Sequence, residues 1–299
     1  DLYRQALAID PDYAAAWSGL AVNYFKQFSR GMKSYEEGYA LAREAAKKAL
    51  ASDPEFAPAV ATLGLVAMED DNDLQAAAGH FERALELAPY DLEIARHVVV
   101  FLQSLGRLEA AIALGEYAAA RDPVNAATHA NLGNSYRWSG RYDDAIRSYR
   151  KALQLSPGLG AANSFIGVAL LAQSRHHDAL ESMRKEPFEP YRLIGLAMAS
   201  HSLGDEAGSN AALAELVQKY GFEWAYNIAY VHAWRGDTDR AIEWLEKAIE
   251  YADPGLSLIA AEPLFDPIHE DSRWGSLVER IGKSPGQLAG IRFDFSLPE

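Results

Sequence analysis

The sequence contains no cysteine at all. That excludes a disulfide framework, a thiolate metal site and a cysteine nucleophile. It fits a reducing compartment such as the cytoplasm. No run of about 18 apolar residues occurs, so no segment reads as a membrane-spanning helix. No signal peptide is visible, and the chain opens inside a helical pattern without an initiator methionine, as expected of a piece of something longer. Basic residues are the minority, 28 against 42 acidic, giving a net charge of −14. Nucleic-acid binding depends on neutralising phosphates, so this balance speaks against nucleic acid and against anionic membrane surfaces. It favours a basic or mixed-charge partner, chiefly in association rate.

Catalytic patterns are also missing. No glycine-rich phosphate loop, HExxH or GxSxG is present. The stretch Glu69-Asp70-Asp71-Asn72-Asp73 lacks the spacing and glycine of a calcium loop and reads as a solvated turn with an N-cap. In His176-His177-Asp178 the adjacent histidines of a helix point apart, so a solvated turn is favoured over a zinc site. The sequence therefore offers no catalytic residue, no cofactor and no metal site. Met68, Met183 and Met198 read as packing residues.

What is present is periodic. Between Ala126 and Pro157, His129, Leu132, Gly133 and Tyr136 fall on one face of a first helix. Ala145, Tyr149 and Ala152 fall on one face of a second. Gly140 stands where the first helix should stop and Pro157 where the second should. Pro11, Pro54, Pro89, Pro123 and Pro157 are spaced by 43, 35, 34 and 34 residues. Such a period marks a stack of units that each bury an apolar face against their neighbours.

These residues resemble the tetratricopeptide repeat, with small residues at the eighth, twentieth and twenty-seventh places and proline near the end. The resemblance covers residues 1–254 and implies an all-α, right-handed superhelix, an α-α solenoid of about seven helix pairs. Its expected units are 1–11 (a half repeat), 12–54, 55–89, 90–123, 124–157, 158–190, 191–221 and 222–254, followed by a capping segment, 255–299. The nine extra residues around Ser29 to Glu37 fit either two lengthened helices or a lip over a groove. Pro187 and Pro190 cut one second helix short, as a hinge or merely a truncated element. Leu256 to Ala261 reads as a helical turn, Pro263 to Pro267 as extended or turned, and Asp271 to Ile281 as a short helix covering the last repeat. Ile291 to Phe295 fits a strand or a flexible end.

The resemblance also implies a function, capture of a protein or peptide in a concave groove lined by the first helices. The places that line it in similar proteins fall here on Ala127, Ala130, Asn131, Asn134, Arg137 and Trp138, with Arg96 and His97 before them and Ser164, Phe165 and Leu171 after. Asn131 and Asn134 could pair with a peptide backbone, Arg137 could grip a carboxylate, and Trp138 either faces the groove or packs on the next repeat. A second cluster comprises Tyr226, Asn227, Tyr230 and Trp234. The lysine of carboxylate-clamp relatives is absent, which argues against that ligand class. The tail from Pro263 to Ile281 is similar to segments that follow such arrays in bacterial regulators, where they join nucleotide (adenylate) cyclase or winged-helix modules. This implies, as an alternative, the regulatory part of a larger signalling protein. Exposed solenoid ends would allow homo-oligomers.

Overall fold

The computed structural model describes residues 2–28 and 34–297. Among these, all regular structure is helical. The fold is an α-α solenoid, divided into two compact units: Asp1–Phe101 with Ala289–Glu299, and Leu102–Leu288.

The first unit contains α1 (Leu2–Ile9), α2 (Ala14–Phe28), α3 (Tyr35–Ser52), α4 (Ala57–Glu69), α5 (Leu74–Leu87) and all but the end of α6 (Leu92–Ser104). Short turns force consecutive helices to run antiparallel, and α2 packs on α3 and α4 on α5. Helix α3 has 18 residues, against 13 for α4 and 14 for α5, so part of the insertion lengthens this helix. The alternative, a lip around Ser29 to Glu37, falls in part on residues 29–33, which lie outside the described residues. The acidic stretch is the exposed turn with an N-cap that was expected, and it is also tied to α3. Arg43 grips Asp70 and Asp71 at 2.6 and 2.7 Å, Tyr39 donates to Glu69, and Asp73 caps α5 by accepting from the Ala76 N–H.

The second unit contains α7 (Leu108–Arg121), α8 (Ala126–Trp138), α9 (Tyr142–Leu155), α10 (Ala162–Ala172), α11 (His176–Arg184), α12 (Glu189–Ser202), α13 (Glu206–Tyr220), α14 (Ala225–Trp234), α15 (Thr238–Glu250), α16 (Ser272–Arg280) and most of α17 (Pro285–Gly290). Two 3-10 helices, Pro254–Leu258 and Pro263–Ile268, lie between α15 and α16. The pairs α8–α9, α10–α11, α12–α13 and α14–α15 pack tightly. In α9 the buried stripe is Ala145, Ile146, Tyr149 and Ala152, the spacing expected from the sequence. Helix α16 starts one residue after its cap, Asp271, and buries Leu277 and Val278.

Helix α11 is short, with nine residues, the truncated element that was one of the two expectations. Glu186 is buried and accepts from the N–H groups of Ala161 and Phe188, both at 3.0 Å, stapling the loop to the start of α10. Pro190 belongs to the next helix. It sits in the first turn of α12, where a missing N–H costs nothing.

Close packing of α8 on α9 depends on Gly133. A Cβ there would lie 2.7 Å from the Tyr149 ring, whose hydroxyl donates to Asn134 at 2.6 Å. The ring is anchored and cannot step aside. Gly133→Leu should therefore destabilise the chain by roughly 1–3 kcal/mol in denaturant unfolding. A variant that unfolds like the parent would show that the two helices are not in this register.

Candidate functional site

The first helix of each pair contributes the face on which a groove was expected. In the second unit those helices are α8, α10, α12 and α14. Part of their common face is already filled by the chain itself.

Three residues after α15 comes Asp253, the cap of the first 3-10 helix, whose carboxylate accepts from the N–H of Tyr226 and of Gly255, both at 2.9 Å. This turns the chain back toward α14. Gly255 then passes so close to Tyr226 that a Cβ would sit 2.5 Å from the ring, so only glycine fits. Burial pushes the Asp253 carboxyl up to about 6, against the opposing pull of its two N–H partners.

The segment continues to Glu262, which is the contact that fixes it. Arg137 Nη1 and Nη2 donate to Glu262 Oε1 and Oε2, each at 2.8 Å, and Trp138 Nε1 donates to Oε2 at 2.9 Å. Both charged side chains are buried. Burial alone would lower the guanidinium's proton affinity. Glu262 beside it more than reverses this and holds Arg137 above its ordinary value. The rings of Trp138 and Phe165 lie about the cation, 5.1 and 5.0 Å from its centre. Beyond Glu262, Leu264, Phe265 and Ile268 are buried, with Phe265 edge-on to Tyr226 at 5.3 Å and to Tyr230 at 6.2 Å.

This arrangement revises the expected groove. Arg137 and Trp138 are not open to a ligand; they hold a carboxylate of their own chain. Tyr226 and Tyr230 are buried beneath Phe265. Asn227 donates to the Tyr230 hydroxyl at 2.9 Å and Trp234 to Ser202 at 3.1 Å, both partly buried. Asn131 and Asn134 remain half-buried on α8. Arg96 and His97 lie in the first unit. Arg96 pairs with Glu93, and burial together with Arg96 pushes His97 down to about 3, so it is neutral. The tail was expected to cap the last repeat. It does pack on α14 and α15, but it also reaches back to α8. The stretch from Pro263, expected to be extended or turned, is turned into a 3-10 helix.

A strip of the same face remains uncovered. Phe165 meets Tyr191 edge-on at 5.4 Å, and Tyr191 meets Trp224 at 4.8 Å. Phe188 joins both, 6.0 Å from Tyr191 and 5.8 Å from Trp224, and is 43% exposed. These rings come from α10, from the start of α12 and from the residue before α14. Sequence reasoning found only Phe165 among them. Tyr191 was findable, since it precedes Gly204 by the same interval as groove-lining Ala127 precedes Gly140. Glu262 was not, because nothing local marks a glutamate that will be buried 125 residues from its partner.

Among the described residues, no three His, Asp or Glu side chains converge as for a metal ion. None of the described helices is long and apolar enough to cross a membrane.

Three sequence profiles, each described as tetratricopeptide repeat, match residues 34–91, 126–159 and 225–253. No functionally curated protein matches the chain in sequence. Among solved structures, PilW, a type IV pilus biogenesis factor, gives a TM-score of 0.56 at 19% identity, over 69% of this chain and 93% of its own. PilF of Pseudomonas aeruginosa gives 0.54 at 17%, over 70% and 93%. A monomeric mutant of IFIT1, solved with Gppp-AAAA, gives 0.62 at 13%, over 83% and 66%. Identities this low establish a shared fold and no shared ligand.

Two outcomes test the covered face. Glu262→Ala strands a buried guanidinium and should cost about 3–5 kcal/mol in chemical unfolding; a loss under ~1 kcal/mol, the range of an exposed pair, would contradict burial of this bridge. Asp253 binds its proton more tightly folded than unfolded. Its contribution is therefore fully present below about pH 4 and is lost as pH rises through about 6. Asp253→Asn, which cannot ionise, should gain stability relative to the parent across that window. Parallel pH profiles would show that Asp253 is not buried.

Proposed function

Because the chain belongs to the tetratricopeptide-repeat family, we propose that it is a protein–protein interaction scaffold whose partner docks on the partly exposed aromatic strip on and just ahead of the first helices of the second unit. Phe165, Phe188, Tyr191 and Trp224 form the centre of this surface, with Asn131 and Asn134 beside it. The observation that carries the reading is the continuous, partly exposed run of four rings from successive repeats. Aromatic side chains bring much contact area for little lost rotamer freedom, and they dominate the energetics of interfaces. The Asn131 amide can match a donor and an acceptor of an extended peptide backbone, and Asn134, whose Oδ1 already accepts from Tyr149, can add its N–H groups.

The self-bound Glu262 sets the limits of the site. Arg137 and Trp138 are spent on the chain's own carboxylate and are not available to a partner's. Recognition on the strip therefore rests on aromatic contact and amide hydrogen bonds. The charge of −14 favours a partner of basic or mixed charge by speeding encounter, and disfavours nucleic acid.

Selection from a random peptide library against the whole chain tests this. Selected peptides should lose about tenfold or more in affinity for a Phe188→Ala, Tyr191→Ala double variant of unchanged helicity. Peptides that bind the double variant as tightly as the parent would place the interaction elsewhere.

A further inference from the structure

The first unit holds a cleft of about 440 Å³ between α1 and α3, floored by α2. Its two walls are second helices of their pairs, so it opens on their side of the unit and not on the first-helix face. Leu7 of α1, Trp17, Leu20 and Tyr24 of α2, and Leu41 of α3 give it an apolar, partly aromatic lining. Ala8 and Ala45, one from each wall, are small and leave the space open. The volume falls within the ~300–1,000 Å³ of small-molecule sites.

Polar groups on this lining have bonding capacity to spare. Tyr24 is 6% exposed, yet its hydroxyl has no hydrogen-bond partner among the described residues. A hydroxyl on so buried a side chain ordinarily has one. Arg4, at the rim, makes no hydrogen bond and no ion pair among the described residues. Lys48 is matched: it pairs with Glu44 at 2.7 Å and lies over the Trp17 ring, 4.5 Å from its centre. Trp17 Nε1 donates to the Pro11 carbonyl at 2.8 Å, which uses the ring's one polar atom and fixes the indole as a wall. The cleft therefore carries one unmatched cation in a chain of net charge −14. Side chains of a helix lean toward its N-terminus. Because α1 and α2 run antiparallel, Arg4 leans toward the end of the cleft where Tyr24 lies, and Tyr24 leans back toward it.

We propose that this cleft binds a small aryl-alkyl carboxylate. Its ring lies among Trp17, Leu20 and Leu41, and its carboxylate accepts from the Arg4 guanidinium and the Tyr24 hydroxyl. A neutral ligand leaves Arg4 unmatched, and a cationic one meets it with like charge. The site lies in the first unit and does not depend on the docking strip proposed above.

Calorimetric titration of the full chain with phenylbutyrate tests this, with its uncharged counterpart phenylbutanol alongside. The parent should bind the acid about tenfold or more tightly than the alcohol, the worth of a charge-assisted hydrogen bond. Arg4→Gln, at an exposed position, should bring the acid down to the level of the alcohol and leave the alcohol unchanged. Ala8→Trp fills the cleft from an exposed position of α1 and should abolish binding of both, at unchanged helicity. Absence of acid binding to the parent at millimolar concentration, or equal acid affinity for the parent, Arg4→Gln and Ala8→Trp, would overturn the proposal. So would binding of the tripeptide Gly-Gly-Phe without binding of the free acid, since that assigns the cleft to the end of a polypeptide.

Discussion

A guanidinium and a carboxylate, both removed from water, decide what the second unit can do. Arg137 on α8 and Glu262 after α15 meet in a bidentate pair closed by Trp138. Either charge alone would be costly in this environment, so each makes the other's burial possible. The pair is also specific in a way that apolar packing is not. Leu264, Phe265 and Ile268 could slide over α14 with little change in buried area, but Glu262 meets both guanidinium nitrogens in only one register. The bridge therefore sets where the segment lies, and with it which part of the first-helix face is left open.

Repeat proteins are modular because each unit contacts only its neighbours. The returning segment departs from that rule. It joins α14, α15 and α8 within one unit, with the α10 to α13 pairs between them in the chain. Local opening of one repeat then works against contacts made by another, and the second unit gains cooperativity that nearest-neighbour stacking does not supply. The aromatic strip from Phe165 to Trp224 rests on helices held from both ends in this way. Interface side chains lose less entropy on binding when their supports are already fixed.

The repeats themselves were legible in the sequence because their physics is local. Ala145, Tyr149 and Ala152 announce a buried stripe by spacing alone, and Gly133 announces a close approach. The same spacing put Asn131, Asn134 and Phe165 on first helices, where they are half-buried. It misjudged Arg137, Trp138, Tyr226 and Tyr230, since a stripe that faces a groove looks the same whether the groove is empty or filled. What fills it at Arg137 and Trp138 lies more than a hundred residues away, in a segment whose prolines break periodicity. Pro263 was read as a mark of extended or turned chain, because the spacing of prolines does not separate the two; proline is at home in the first turn of a helix, and the 3-10 helix there uses it so. The burial of Phe293 against Phe101 of α6 was illegible for the same reason, as the partners of its segment on α5 and α6 precede it by about two hundred residues.

The absence of cysteine makes the central claim directly measurable, because one introduced thiol reports only on its own position. Ala260 is exposed, whereas Ala261, adjacent to Glu262, is 7% exposed. Ala260→Cys and Ala261→Cys should be compared for their rates of thiol labelling in the folded chain. If the segment is seated on α8 and α14, Ala260→Cys labels at the rate of a free thiol and Ala261→Cys labels slower by orders of magnitude. Equal, fast labelling at both positions would mean that the segment stands away from the first helices and that the groove is open.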